Sequence, residues 1–403
     1  MLKKISAQDI RLGMFIEKLC GSWMDHPFWK KAFKLENEKD LHALKASGID
    51  ELWIDISKGL DVESESEQSP AANEEKTMVT LPTAAGGDKK QERQVALHEE
   101  TPRAQKLHTK AKKTVAAILG EARMGNVLHL AEAVALVDEI IQSVSRNSGA
   151  LLSLSRLKNR DDHTYLHAVA VSALMIALGR QMGLEDDVLK SLGMAGLLHD
   201  VGKVMIPDNI LNKPGKLSAE EFETVKTHPR RGWEILKADP DMNEVVLDVC
   251  LHHHERMDGT GYPDKLPGES LSLHARMAAL CDVYDALTSD CSYRTAFAPA
   301  DAVRKMAELQ DGHFDKTVFH AFVKTVGIYP VGTLVKLKSG RLAVVADQSA
   351  KSLLTPVVKV FFSTKTNEPI FPALVELSKV PDPIASVEDP AEWKFDLKTM
   401  AGI

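Results

Sequence analysis

From about residue 101 to about 325, apolar residues recur three and four positions apart, the period of helices that bury one face. KAKKTVAAILGEARM and HLAEAVALVDEIIQSVSRN are the clearest cases. Stretches near residues 201–217 and 254–270 break the period and predict loops. In LSAEEFETVKTH, Ser218 precedes Glu221 by three residues. This is a capping box, in which the hydroxyl and the carboxylate each take a backbone N–H at the start of a helix. The period changes at both ends of the chain. MFIEKL and ELWIDI predict short strands, with KLENEKDLHALKAS at helical spacing between them and Gly48 in the turn. TLVKLKSGRLAVVADQ alternates around a Ser-Gly turn and PVVKVFFST follows, which predicts an antiparallel β unit. Residues about 63–94 hold Pro70, Pro82 and a Gly-Gly pair with almost no bulky apolar side chain, the composition of a loose linker. Pro381, Pro383 and Pro390 predict an irregular tail. The expected fold is mainly α: a helical bundle with a small N-terminal α/β domain and a short C-terminal antiparallel β unit. The boundaries are residues 1–62 for the N-terminal domain, 63–100 for the linker and 101–150 for connecting helices. A catalytic domain over 151–330, a β extension over 331–385 and a tail over 386–403 complete the chain.

A chain of 403 residues suggests two or three domains. With 44% hydrophobic and 27% charged residues, the composition is ordinary for globular proteins. The net charge of −7 supplies no basic field for long nucleic acid, so an anionic substrate would need locally placed metals or cations. Cys20, Cys250, Cys281 and Cys291 have no C-x-x-C spacing and read as reduced thiols. No apolar run is long enough to span a bilayer, and Asp9 and Arg11 fall where a signal peptide needs an apolar core. The expected location is the cytoplasm.

The chemistry concentrates in HHERMDGTGYP, residues 253–263, and HDVGK, residues 199–203. Imidazole is the commonest protein ligand for a metal. His199 and Asp200 end an apolar helix, where charged groups are rarely buried without a partner. Taken singly, His167 in DDHTYLHAVAV and His228 read as ordinary surface or core histidines, and Asp282 as a cap or a paired carboxylate. His252 reads as a helix-surface residue. Taken together, and in this order over residues about 150–325, these fragments and D-x-x-DALTSD resemble the HD-GYP family. This is a branch of the HD phosphohydrolases whose members cleave the bacterial second messenger cyclic di-GMP.

The resemblance implies an HD-type bundle with metal ligands His167, His199, Asp200, His228, His253, His254 and Asp282. Asp200 would bridge two divalent ions, which the family takes as iron or manganese, the mixed nitrogen and oxygen set suiting either. Two such ions can hold a bridging hydroxide for in-line attack on a phosphodiester, giving linear pGpG, with further hydrolysis to GMP left open by the resemblance. Lys203 matches the family lysine on a non-bridging phosphate oxygen. Its other reading is a solvated loop lysine. Gly261 and Tyr262 belong to a lip near the substrate, equally readable as structural, and the family links this lip to partners such as a diguanylate cyclase. Glu255 and Asp258 read as groups that orient histidine rings or shape the loop.

Two departures stand out. His163 occupies a position, four residues before His167 on one helix face, where members with a third metal carry glutamate. It is a candidate extra ligand or a silent polar residue, so the ion count is two or three. DCSYR at 290–294 replaces the usual DRPYR. Cys291 therefore cannot bind phosphate, and Arg294 keeps a guanidinium fork for it. Residues 1–140 resemble an uncharacterised domain that precedes such modules, with LGMFIEKLCGSWMDHPF as the matching stretch. Two other functions fit the same residues: a module that binds the dinucleotide or a diguanylate cyclase with little turnover, and an HD phosphohydrolase for another nucleotide or phosphoester. The oligomeric state is not encoded in these patterns.

Overall fold

The computed structural model describes residues 2–6, 9–19, 33–35, 41, 45, 51–60, 94–155, 163–289, 296–349, 352–393 and 395. The chain divides into two compact units, Met1–Lys89 and Lys90–Ile403. The expected linker up to residue 93 and most of the expected helix in KLENEKDLHALKAS lie outside the described residues, but the linker's expected end at 100 is corrected: residues from Leu97 onward already belong to a helix, because apolar Leu97 begins the amphipathic run that follows.

In the first unit, β1 (Leu2–Ser6), β2 (Phe15–Leu19), β3 (Phe33–Lys34) and β4 (Glu51–Asp55) form a four-stranded antiparallel sheet in the order β1-β4-β2-β3. Met14, Ile16, Leu35, Leu52 and Ile54 are its fully buried core. MFIEKL and ELWIDI are strands as expected. β1 is an addition, because the two lysines in LKKIS break the alternation of apolar and polar positions.

The second unit opens with α1 (Leu97–Arg123) and α2 (Ala131–Ser155). These are more than connectors: Leu136 and Ile140 share one hydrophobic core with Leu174, Met175 and Phe322 of the catalytic region. α3 (His163–Gln181) is buried from Leu166 to Leu178, as a helix that is apolar on every face must be. α4 (Asp186–Leu198) runs into a 3-10 turn, Val201–Met205, followed by α5 (Asp208–Leu211), so the expected loop near 201–217 is partly helical. α6 (Ala219–Val225) starts at the Ser218–Glu221 capping box. α7 (His228–Lys237) and α8 (Glu244–His252) follow. The Ser218 helix ends at Val225, and His228 opens α7. Pro229 in the first turn explains the break: it lacks an N–H and sits without strain only where none is needed. α9 (Leu273–Thr288) is a second nearly all-buried helix, and α10 (Pro299–Glu308), α11 (Gln310–His313) and α12 (Lys316–Val326) close the bundle.

β5 (Leu334–Leu337), β6 (Arg341–Asp347), β7 (Val357–Ser363), β8 (Glu368–Glu376) and β9 (Ile384–Val387) form an antiparallel sheet in the order β8-β7-β6-β5-β9. The tail expected to be irregular thus supplies β9 and a short α13 (Pro390–Trp393). Pro381 and Pro383 leave Ile384–Val387 free to pair with β5, since neither removes a donor from that strand.

Candidate metal centre

Helix ends and two buried helices bring the ligand candidates together. His199 caps the C-terminus of α4, Asp200 follows it, His228 opens α7, and His253 caps α8 with His254 next. His167 and Asp282 come from inside the apolar helices α3 and α9. Two donor sets result. Asp200, His228, His253 and His254 form one, and His167, His199 and Asp282 the other, with the ligand atoms of each set within 4.8 Å of one another. Asp200 spans both. Its Oδ1 lies 3.2 Å from His228 Nε2 and 3.7 Å from His253 Nε2. Its Oδ2 lies 3.4 Å from His199 Nε2 and 3.5 Å from His167 Nε2. Asp282 Oδ1 lies 3.1 Å from His167 Nε2, and its Oδ2 3.7 Å from His254 Nδ1.

The opposite edges of the rings explain how they are aimed. His199 Nδ1 donates to the Gly196 carbonyl at 2.9 Å, His228 Nδ1 to the Val225 carbonyl at 2.7 Å, and His253 Nδ1 to the Cys250 carbonyl at 3.0 Å. A proton fixed on Nδ1 leaves Nε2 with a bare lone pair, the form that binds a metal. The buried His199 Nε2 and Asp200 Oδ1 have no hydrogen-bond partner of acceptable geometry among the described residues. His228 Nε2 and His253 Nε2 face each other at 3.3 Å. Inward lone pairs and buried carboxylates in such a cluster are costly unless cations sit among them. The donor set therefore fits divalent metal ions.

The electrostatics agree. Burial lowers the pKa of His228, and burial with neighbouring His253 holds His254 well below the usual imidazole value, so both are neutral near pH 7. Burial alone would raise the pKa of Asp200, but Lys203 and His199 hold it well below the carboxylate range. Burial also opposes the charged form of His167, yet hydrogen bonds to Asp282 and Asp285 outweigh it and raise its pKa to about 9. Asp285 is a site residue that the sequence patterns do not single out. It accepts from His167 Nδ1 at 2.6 Å and so does for this ring what backbone carbonyls do for the others. A signal for it exists, one helical turn after Asp282 in D-x-x-D on an otherwise apolar helix.

Lys203 Nζ lies 2.5 Å from Asp200 Oδ2, at the edge of the centre. Glu255 and Asp258 shape the loop and touch no ligand ring. Buried Glu255 accepts the backbone N–H groups of Asp264, Lys265 and Leu266, and Asp258 accepts from the Thr260 N–H and hydroxyl. Half-buried His252 ties α8 to the same loop, with Nδ1 2.8 Å from Asp248 and Nε2 3.4 Å from Asp264. The Tyr262 ring packs on His254 with centroids 4.7 Å apart. His163 is the first residue of α3, but its side chain, like Arg294 and Cys291, lies outside the described residues. Cys250 and Cys281 are buried and free.

Two glycines permit close backbone contacts that no periodicity reports. A Cβ on Gly202 would sit 2.0 Å from the His228 carbonyl oxygen and 2.4 Å from the Gly232 nitrogen. This contact is what holds the Asp200 turn against α7. A Cβ on Gly261 would meet Glu255 Cα at 2.4 Å. Gly261→Ala is accordingly expected to destabilise the protein by about 1–3 kcal/mol through overpacking. A lower denaturant midpoint would register this, and an unchanged midpoint would contradict the contact.

A helical bundle carrying a buried histidine/aspartate centre for divalent ions at its helix ends defines a metal-binding HD domain, and the family comparison agrees. The HD domain family matches residues 150–318, and a domain of unknown function, DUF3391, matches residues 2–133. A cyclic di-GMP phosphodiesterase of Pseudomonas aeruginosa is 52% identical over 398 residues, covering 98% of this chain and 94% of that protein. A cyclic di-GMP phosphodiesterase response regulator of Xanthomonas campestris is 34% identical over 217 residues, 50% of this chain and 57% of the regulator. A 3′3′-cGAMP-specific phosphodiesterase of Vibrio cholerae is 33% identical over 176 residues, 43% of this chain and 41% of that enzyme. The chain belongs to the HD-GYP family, with the DUF3391 domain ahead of its HD domain. Among the described residues, no helix is long and apolar enough to cross a membrane.

Proposed function

We propose that this protein is a metal-dependent phosphodiesterase that hydrolyses cyclic di-GMP to linear pGpG and onward to GMP. The observation that carries the reading is Asp200, one buried carboxylate whose two oxygens face two separate sets of donors. The full-length likeness to the Pseudomonas aeruginosa enzyme supports the substrate. His167, His199 and Asp282 would hold one ion, and His228, His253 and His254 the other, with Asp200 shared. The mixed set suits iron or manganese, and His163 bears on a third ion. Bound divalent ions supply Lewis acidity, lowering the pKa of water and neutralising phosphate charge.

The chain's own residues do the rest. The Nδ1 hydrogen bonds keep each Nε2 lone pair inward and prevent the rings from turning. Lys203 places an ammonium beside Asp200, where it can neutralise charge building on a phosphate oxygen. Tyr262 packs over His254 at one side of the centre and limits how that ring can turn. Arg294 would offer its fork to a second phosphate. Water adds across the diester: a P–O bond forms, the P–O3′ bond breaks, and the departing oxygen takes a proton.

The test uses purified full-length protein loaded with ferrous or manganous ion under reducing conditions, offered cyclic di-GMP and 3′3′-cGAMP in parallel. Turnover of cyclic di-GMP to linear pGpG is expected. Tight binding without product would replace the enzyme by a sensor, and preferential cleavage of 3′3′-cGAMP would reassign the substrate.

A further inference from the structure

Four of the five imidazoles in the two donor sets are aimed by a hydrogen bond at the edge away from the centre. His199, His228 and His253 bond backbone carbonyls, and His167 bonds Asp285. His254 is the exception. Among the described residues its ring has no hydrogen bond, and its Nδ1 faces Asp282 Oδ2 at 3.7 Å. Tilted ring contacts with His253 and Tyr262, at 4.2 and 4.7 Å between centroids, crowd the ring but offer no directional bond. The place of this ligand therefore depends on how the backbone at the end of α8 is held.

A chain of polar side chains holds it from outside. His252, the last residue of α8, is half-buried, and each of its ring nitrogens meets a carboxylate. Nδ1 lies 2.8 Å from Asp248 Oδ1, one helical turn earlier, and Nε2 lies 3.4 Å from Asp264 Oδ2 in the loop that follows His254. Both carboxylates are themselves fixed. Ser272, the N-cap of α9, donates its hydroxyl to Asp248 Oδ2. Arg230, on α7 two residues after His228, donates to Asp264 Oδ1. The Asp264 N–H donates to the buried Glu255 carboxylate at 2.7 Å. The chain Ser272–Asp248–His252–Asp264–Arg230 ties together α7, α8 and α9, which deliver His228, His253 and Asp282, and the loop beyond His254. His252 is its middle member and the one adjacent in sequence to the His253–His254 pair.

We infer that His252 is a positioning residue of the metal centre: by spanning Asp248 and Asp264 it fixes the backbone step that carries His254, and so sets how tightly the ion facing His228, His253 and His254 is held. This rests on the metal-dependent reading above. The effect belongs in metal affinity and not in folding. A partly exposed pair of charged groups contributes little to stability, whereas metal–ligand distances tolerate deviations of only about 0.2 Å. His252 itself touches neither ion nor substrate in this role. It acts through the position of His254.

Three substitutions in the full chain separate this role from a local one. His252→Ala removes both contacts. His252→Asn keeps a donor where Nδ1 stands and can reach Asp248 but not Asp264, and His252→Gln keeps one where Nε2 stands and can reach Asp264. Manganese binding to the metal-depleted proteins is measured by calorimetry, together with their denaturant midpoints. In the alanine and asparagine variants one ion is expected to bind about tenfold more weakly, as for other groups that orient ligands. The remaining ion affinity should stay within about twofold of the parent, and the metal-free midpoint should not move. His252→Gln should restore the affinity to within about threefold. Should His252→Ala fail to fold, the asparagine and glutamine variants decide alone. Parent-like affinity for every ion in the alanine or asparagine variant overturns the role. So does equal weakening of all ions with a lowered midpoint, which would make His252 a support of α8. Rescue by asparagine instead of glutamine also overturns it, because the work would then lie in the Asp248 contact. A parent protein that binds manganese but leaves cyclic di-GMP intact ends the substrate reading, and the variants still decide the role of His252. A parent protein that binds no manganese ends the metal reading and this role with it.

Discussion

Asp200→Ala is expected to reduce hydrolysis of cyclic di-GMP by about 10³-fold or more, since a metal pair supplies several kcal/mol of charge stabilisation and each 1.36 kcal/mol is tenfold in rate. Asp200 turns each oxygen to two imidazoles of a different donor set, whereas Asp282 reaches the first set through His254 alone, at 3.7 Å. Alanine removes the negative charge common to the two sets and leaves five inward imidazoles and Asp282 to hold two dications. At least one ion should be lost. Asp200→Asn keeps the shape and removes the charge, so it should fail similarly and exclude a packing effect. Turnover and metal content per chain, measured on protein whose circular dichroism matches the parent, test this. Retention of both ions with more than a tenth of the activity would show that the carboxylate is not shared.

Asp285→Asn is expected to weaken metal affinity about 10–100-fold, the usual penalty for removing a partner of a ligand histidine. The pH dependence gives a sharper signature. In the metal-free protein His167 holds its proton up to about pH 9, because hydrogen bonds to Asp282 and Asp285 overcome burial. A metal must displace that proton, so affinity should climb by up to about tenfold per pH unit from neutral pH towards 9 and level off above it. Replacing the Asp285 carboxylate by an amide removes one of the two groups that raise the pKa. The variant ring then deprotonates at lower pH, and its affinity levels off earlier. Proton competition is thereby relieved most at low pH. The deficit relative to the parent should accordingly be largest near pH 9 and shrink towards pH 6.5. Manganese titrations across that range decide it, and a deficit independent of pH would remove Asp285 from the role of proton holder. The same shift bears on apo stability. With the folded pKa above the unfolded one, the contribution of His167 is present below pH 6.5 and lost as pH rises through 9.

Much of the local structure is readable from period alone. The 3.6-residue spacing marks α1, α2 and the helices through α12, and alternation around Ser339–Gly340 marks the β5–β6 hairpin. Where the structure departs from the expected elements, a competing rule prevails. Pro229 restarts the helix at His228. Ile384–Val387, short and only partly buried, finds in β5 a partner strand that its own residues cannot announce. The motif residues His199, Asp200, His253 and His254 stand out because polar groups interrupt apolar helix ends. His167 and Asp282 do not stand out alone, because one polar residue inside a buried helix has no periodic signature.

By itself, the sequence determined the helical class, the motif order and the residue types able to hold a metal, since these depend on spacing and side-chain chemistry within single elements. Only the tertiary structure decided that Asp200 turns an oxygen to each of two donor sets, that Asp285 aims His167, and that Glu255 ties down three loop amides. Likewise, only folding revealed the close approach of Gly202 to α7 and of Gly261 to Glu255. The reason is that none of these contacts follows a helical or strand period. Whether the partners lie six residues apart, as Gly261 and Glu255 do, or 118 apart, as His167 and Asp285 do, they are fixed by packing, which leaves its record in side-chain volume and backbone clearance and in no one-dimensional pattern.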